Sequence, residues 1–217
     1  MLREVVTNNW FTIFLVIAVG LVTLSKYLYS QRFADFLAVV GNSKYLKIYV
    51  RDQKFVDGFD ALLFFNLVIC VSIFGYISYI TFVNPAQFDS DQFLKLLVAI
   101  GSLVIIKVLI ERLIGSLFEI DKIIDSYLFQ KTTYKNYTGL LLLPINILLI
   151  YTFQPNKIGI FICLGILAIV NFIGFITAFK NHQNLLLNNL FYFILYLCAL
   201  EIGPYLILYK LLTNHQA

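Results

Sequence analysis

Charge is what this sequence has least of. Its 217 residues include 16 basic and 12 acidic side chains, 13% of the total, where soluble domains carry roughly 25%. Hydrophobic residues make up 60%, against roughly 45–50% in soluble domains. A chain this apolar has too few polar groups to cover its surface in water, so part of its solvent must be lipid. Histidine is nearly absent. His182 and His215 lie in a connection and near the C-terminus, which excludes a bis-histidine haem site inside an apolar run. The three cysteines, Cys70, Cys163 and Cys198, all sit within apolar runs and form no C-x-x-C or Cys/His pattern. Neither a disulfide framework nor a zinc site follows, and such cysteines act as small apolar residues. H-E-x-x-H, G-x-S-x-G and P-loop patterns are also missing, so the usual motifs of zinc, serine and phosphate chemistry are not there. We therefore expect no catalytic residue, no metal site, no cofactor and no enzymatic activity. Basic residues alternate with apolar runs instead of forming one stripe, which argues against a nucleic-acid partner.

What is present is a series of long apolar runs. A spanning helix needs about 20 mostly apolar residues. Six segments meet or approach this: Trp10–Tyr29, Phe59–Phe82, Phe93–Leu113, Gly139–Phe153 (extended back to about Asn136), Ile158–Phe179 and Leu190–Leu212. The runs are continuous, whereas membrane strands alternate with period two. The expected fold is all-α: a polytopic membrane protein of about six transmembrane helices, in one integral membrane domain over residues 1–217. The first run lacks a small-x-small cleavage site and is followed at once by Lys26 and Tyr27, so it reads as a retained helix and not a signal peptide.

Basic residues orient the chain. Lys26, Arg32, Lys44, Lys47, Arg51 and Lys54 follow the first run. Lys107, Arg112, Lys122, Lys131 and Lys135 surround the end of the third, and Lys180 follows the fifth. The other side has Arg3, Lys95, Lys157 and Lys210. Cytoplasmic loops collect Lys and Arg, which places both termini on the periplasmic side of a bacterial inner membrane. Two stretches on the cytoplasmic side read as interfacial amphipathic helices. In Phe118–Phe129, residues Ile120, Ile123, Ile124, Tyr127 and Leu128 recur at helical spacing. Gln31–Gly41 is a weaker case. Either stretch serves as lipid contact or partner docking along the membrane plane, or as a connector packed under the bundle.

Polar residues inside the runs are the candidate site. Glu201 lies midway through the last run, close to Gly203 and Pro204. A charged residue at mid-bilayer costs roughly 2.5–3.5 kcal/mol on the insertion scale, so Glu201 must be protonated or face the bundle interior. Pro204 displaces the carbonyl four residues back, and a freed carbonyl in hydrocarbon needs a partner. Pro144 breaks the fourth run in the same way. Asn66, Asn146 and Asn171 suit helix-to-helix hydrogen bonding. Lys107 stands one turn from Glu111, as a local pair or as a counter-ion reaching Glu201. Asn136–Thr138 matches a glycosylation sequon by letters alone.

The stretches Tyr192–Lys210, Gly139–Asn146 and Leu62–Tyr76 resemble recurring segments of an uncharacterised family of Bacteroidota polytopic inner-membrane proteins, a domain of unknown function. That resemblance implies a bacterial inner membrane and supplies no activity. Two functions remain. One is a non-enzymatic subunit or assembly factor of an inner-membrane complex, in envelope biogenesis or secretion. It would have membrane lipids around it and a protein partner or a second copy beside it. The other is a small proton- or cation-responsive transporter using Glu201.

Overall fold

The computed structural model describes residues 9–42, 44–50, 57–82, 89–117, 121–152 and 156–181. Every element among them is helical: α1 (Asn9–Leu28), α2 (Ser30–Leu37), α3 (Lys44–Tyr49), α4 (Gly58–Phe82), α5 (Ser90–Leu117), α6 (Asp121–Ile147) and α7 (Lys157–Asn181). A π-helical turn, Leu148–Thr152, continues α6. The long helices follow the apolar runs. Their continuous Leu, Ile, Val and Phe leave no break until a polar or proline-bearing connection.

The five long helices alternate in direction. At one end of the bundle the start of α1 meets the end of α4 and the start of α5, through the rings of Phe11, Tyr76 and Phe93. Thr12 and Tyr151 share a 2.5 Å hydrogen bond there, and Phe82 stacks edge-on with Phe161 of α7. At the opposite end Tyr29 packs against Phe59 and Tyr45 stacks on Phe129. The core is accordingly split in two. One cluster centres on Ile69–Ile77 of α4 with Leu142 and Leu149. The other joins Phe33, Phe36, Tyr45, Phe59 and Phe129.

Helix α6 runs through the middle and packs most extensively on α4. Two glycines set how closely it approaches its neighbours. A Cβ on Gly139 would lie 2.6 Å from the Leu67 Cα, and one on Gly174 would lie 2.5 Å from the Tyr134 ring. Any side chain at either place would force the helices apart.

Four helices among the described residues are long and apolar enough to cross a membrane: Trp10–Leu28, Gly58–Phe82, Ser90–Leu117 and Lys157–Thr177. The expected fourth run is the far half of α6 with its π turn, and α6 as a whole carries too many polar residues to join that group. The sixth run, Leu190–Leu212, lies outside the described residues.

The expected amphipathic stretch at Phe118–Phe129 is not a separate element within the described residues. From Asp121 it is the opening of α6, uninterrupted to Ile147. Its Ile124, Tyr127, Leu128 and Phe129 are buried because α5, α2 and α3 cover them. The Gln31–Gly41 stretch forms α2 and a turn, with Phe33, Phe36 and Val39 buried.

Candidate functional site: a polar seam around α6

A set of polar residues lies inside this bundle among its apolar core, while large apolar residues stand on its rim. Asn66, Ser72, Glu111, Gln130, Thr133, Asn136 and Asn146 are all buried. Leu103, Phe161, Ile169 and Phe172 are each more than 60% exposed. Hydroxyls on the helices are mostly satisfied within their own turn. Ser72 bonds the Val68 carbonyl at 2.7 Å, and Thr133 bonds the Phe129 carbonyl at 2.8 Å. Amides reach further.

The Asn146 side chain donates to the Cys70 carbonyl at 2.9 Å, tying α6 to α4. One turn earlier on α4, Asn66 Oδ1 accepts from the Cys70 thiol at 3.6 Å. Two of the expected site residues, Asn66 and Asn146, therefore meet through Cys70. Asn171 of α7 donates both to Thr138 Oγ1 at 3.2 Å and to the Leu167 carbonyl at 2.8 Å. Asn66 Nδ2, Asn146 Oδ1 and both polar atoms of Asn136 have no hydrogen-bond partner among the described residues. Asn136, the acceptor of the letter-match sequon, is wholly buried.

Pro144 sits inside α6 and faces outward. Lacking an N–H, it frees the carbonyl of Leu140, and the π turn begins one helical turn later. Such turns are rare insertions, frequent at functional sites. Asn146 lies between the two irregularities, so the bond to Cys70 anchors α6 where its own ladder is weakest.

Two ion-pair groups stand at the end where α4 begins. The Lys131 ammonium of α6 donates to Glu111 Oε1 of α5 at 2.5 Å, and the Glu111 side chain is fully buried. Arg112 pairs with Asp125 at 3.4 Å across the same helices. Glu111 thus has a partner on α6, twenty residues along the chain. Lys107 is half-buried one turn before Glu111. Glu201, Gly203 and Pro204 lie outside the described residues.

The second group was not foreseen. Arg32 of α2 bonds Asp57 and Asp60, the latter at 3.1 Å, and bonds the Tyr45 hydroxyl at 3.3 Å. Its guanidinium also lies over the rings of Phe59, 4.7 Å away, and Tyr49, 5.1 Å away. Burial works against the Arg32 cation, but Tyr45, Asp57 and Asp60 outweigh it and hold its pKa above the ordinary value. Burial, reinforced by Asp60, pushes the Tyr45 phenol up, so it stays protonated. A signal for this group existed: an arginine in an amphipathic stretch, and the acidic opening Asp57-Gly-Phe-Asp60 of the second run.

Chemically these arrangements clamp helices together. Among the described residues no group of three or more His, Cys, Asp or Glu stands where it would hold a metal ion. The geometry defines an all-helical chain in which membrane-length apolar helices enclose a polar one. A family model described as "Domain of unknown function (DUF4271)" matches residues 11–212, and the chain belongs to that family. No curated protein and no solved structure matches it.

Proposed function

We propose that this chain is an integral membrane protein of a bacterial inner membrane, acting as a non-enzymatic subunit or assembly factor of a membrane complex in envelope biogenesis or secretion. The observation that carries the membrane reading is an apolar rim around an enclosed polar helix. The helix richest in amides and hydroxyls is enclosed, and α5 and α7 turn Leu103, Phe161, Ile169 and Phe172 outward. In water that distribution would expose apolar surface at roughly 25 cal/mol per Å². In hydrocarbon it costs nothing, and enclosing the polar groups removes a penalty of several kcal/mol for each unpaired one.

The scaffold role is supported by what the polar groups do. Asn146, Asn171, Lys131 and Arg32 each hold one helix to another. With basic residues gathered at the end where α4 begins, that end is the cytoplasmic one and the termini are periplasmic. Affinity purification from native membranes tests the role. A stoichiometric protein partner is expected. A chain that purifies alone and moves protons or cations when reconstituted contradicts it.

One observation favours the transporter reading. Pro144 and the π turn interrupt α6 beside buried Asn146, and interrupted helices mark midplane sites in transporters. Under that reading Glu201→Gln abolishes flux while the chain still folds.

A further inference from the structure

The end of the bundle held by Arg32 presents a second feature, on its outside. Between Ser30 and Tyr49 the one acidic residue is Asp35, which is half-buried and accepts from the Tyr49 hydroxyl at 3.3 Å. The acids that open α4, Asp57 and Asp60, are both taken up by Arg32. Among the described residues the negative charge nearest α2 and α3 is therefore turned inward. Three lysines point the other way. Lys26 in the last turn of α1, and Lys44 and Lys47 on α3, are exposed, and none forms an ion pair among the described residues.

Beside them stand exposed apolar side chains: Tyr27 at 85%, Leu28 at 55%, Leu37 at 47% and Ile48 at 43%. Helix α3 is fixed in place by Tyr45, which packs on Phe36 and Phe129 at the level where α4 begins. The lysines and the apolar residues thus belong to the same end of the bundle, where on the membrane reading acyl chains give way to headgroups.

We propose that α3 and the last turn of α1 form a docking surface for anionic phospholipid headgroups. Lys26, Lys44 and Lys47 neutralise the phosphates, and Tyr27, Leu37 and Ile48 enter the acyl boundary. The surface fits this ligand by charge: exposed cations without ion pairs among the described residues, whose described neighbouring acids are held by Arg32 and Tyr49, meet a layer of fixed negative charge. A basic face bordered by apolar residues matches the polarity gradient of the interface. Lysines near an anionic leaflet each strengthen binding. The inference rests on the membrane reading above, and adds which lipid the chain selects and with which residues.

The test is native mass spectrometry of the full chain, purified in mild detergent and offered phosphatidylglycerol or phosphatidylcholine. Phosphatidylglycerol should be retained preferentially, and raising the salt from 0.05 to about 0.5 M should release it, since screening shortens the reach of surface charge. Each of Lys26→Gln, Lys44→Gln and Lys47→Gln should lower retention about five-fold, and the triple variant about a hundred-fold. The triple Lys→Arg variant should retain the lipid. Lys95→Gln with Lys157→Gln, at the opposite end, should change nothing. Equal retention of phosphatidylcholine overturns the proposal, as does a Gln triple variant that binds like the original chain. So does co-purification of an acidic protein through these lysines in place of lipid. If the triple variant does not fold, the single variants carry the test. Alkaline carbonate extraction separates the two readings. A chain released from membranes loses the membrane reading itself, whereas one that stays embedded but ignores lipid charge loses only this proposal.

Discussion

Helices α5 and α6 are antiparallel neighbours of almost equal length, 28 and 27 residues, yet their surfaces are opposite in character. Along α5 only Phe93, Glu111 and Gly115 are buried, and it holds an apolar stretch long enough to cross a membrane. Along α6 nine of the fifteen residues from Ile124 to Thr138 are buried, among them Gln130, Thr133, Asn136 and Thr138. In a water-soluble protein these roles would be reversed, with the polar helix outside. Between these two helices burial follows hydrogen-bonding need more than hydrophobicity, whereas the apolar α4 is buried by its place against α1, α5 and α6. Where lipid tails are as apolar as leucine, leucine gains little by moving inward, and association relies on close packing and interhelical hydrogen bonds. An amide or a charge gains much. Each buried residue of α5 fits that rule: Glu111 meets Lys131, Gly115 approaches Ile124, and Phe93 joins the aromatic group with Phe11 and Tyr76.

Substitutions can break this contrast, and the largest effect is expected at the ion pair. Lys131→Leu leaves Glu111 buried without its cation and should lower stability by about 3–5 kcal/mol, read as loss of folded chain on heating in detergent. The double variant with Glu111→Leu should recover most of that loss, because no uncompensated charge remains. Next comes the rim. Leu103→Lys, mid-way along α5 and 65% exposed, should impair membrane insertion by about 2.5–3.5 kcal/mol, measured by the fraction inserted in a translocon assay. On a water-facing helix the same change would be harmless. Gly139→Ala forces a Cβ against the Leu67 backbone and should destabilise by about 1–3 kcal/mol, seen as a lower thermal midpoint. Asn146→Leu removes the link to the Cys70 carbonyl and should cost about 0.6–1.7 kcal/mol. At the small end, Leu103→Ala should shift stability by less than about 0.5 kcal/mol.

The same contrast explains how far the sequence could be read. Helices α1, α4, α5 and α7 are recognisable from it because their apolar runs are long and uninterrupted. The opening of α6 is not. Ile124, Tyr127 and Leu128 at helical spacing, with Asp125 and Ser126 between them, look like a helix lying half in water. Periodicity registers that a second, polar face exists, and is silent on whether that face meets solvent or other helices. Here the apolar face packs against other helices while the Asp125 side chain stays 48% exposed in its pair with Arg112, and the stretch runs on unbroken into the fourth run as one helix.

Asn66 and Asn146 stood out as polar residues in apolar runs, and both are buried as a membrane environment requires. They meet at Cys70, Asn66 through its thiol and Asn146 through its carbonyl, a backbone group that leaves no mark in the letters. Glu111 drew attention to its own-helix neighbour Lys107. Its bond to Lys131 depends on the register between α5 and α6, set by Gly115 against Ile124, which only the packed structure reveals. Arg32 escaped notice because it lies in a connection between runs, where a charge is expected to face solvent.

The central claim is that hydrocarbon surrounds the apolar rim while the polar face of α6 is sealed among helices. Spin labels on single cysteines at Leu103, Phe172 and Asn136 test it directly, in a background with Cys70, Cys163 and Cys198 replaced and the chain reconstituted in bilayers. The account predicts that labels at residues 103 and 172 are relaxed by oxygen, which concentrates in lipid, and not by a water-soluble nickel reagent, whereas the label at residue 136 is reached by neither. Access of the nickel reagent to residues 103 and 172 would contradict it, because those faces would then be standing in water.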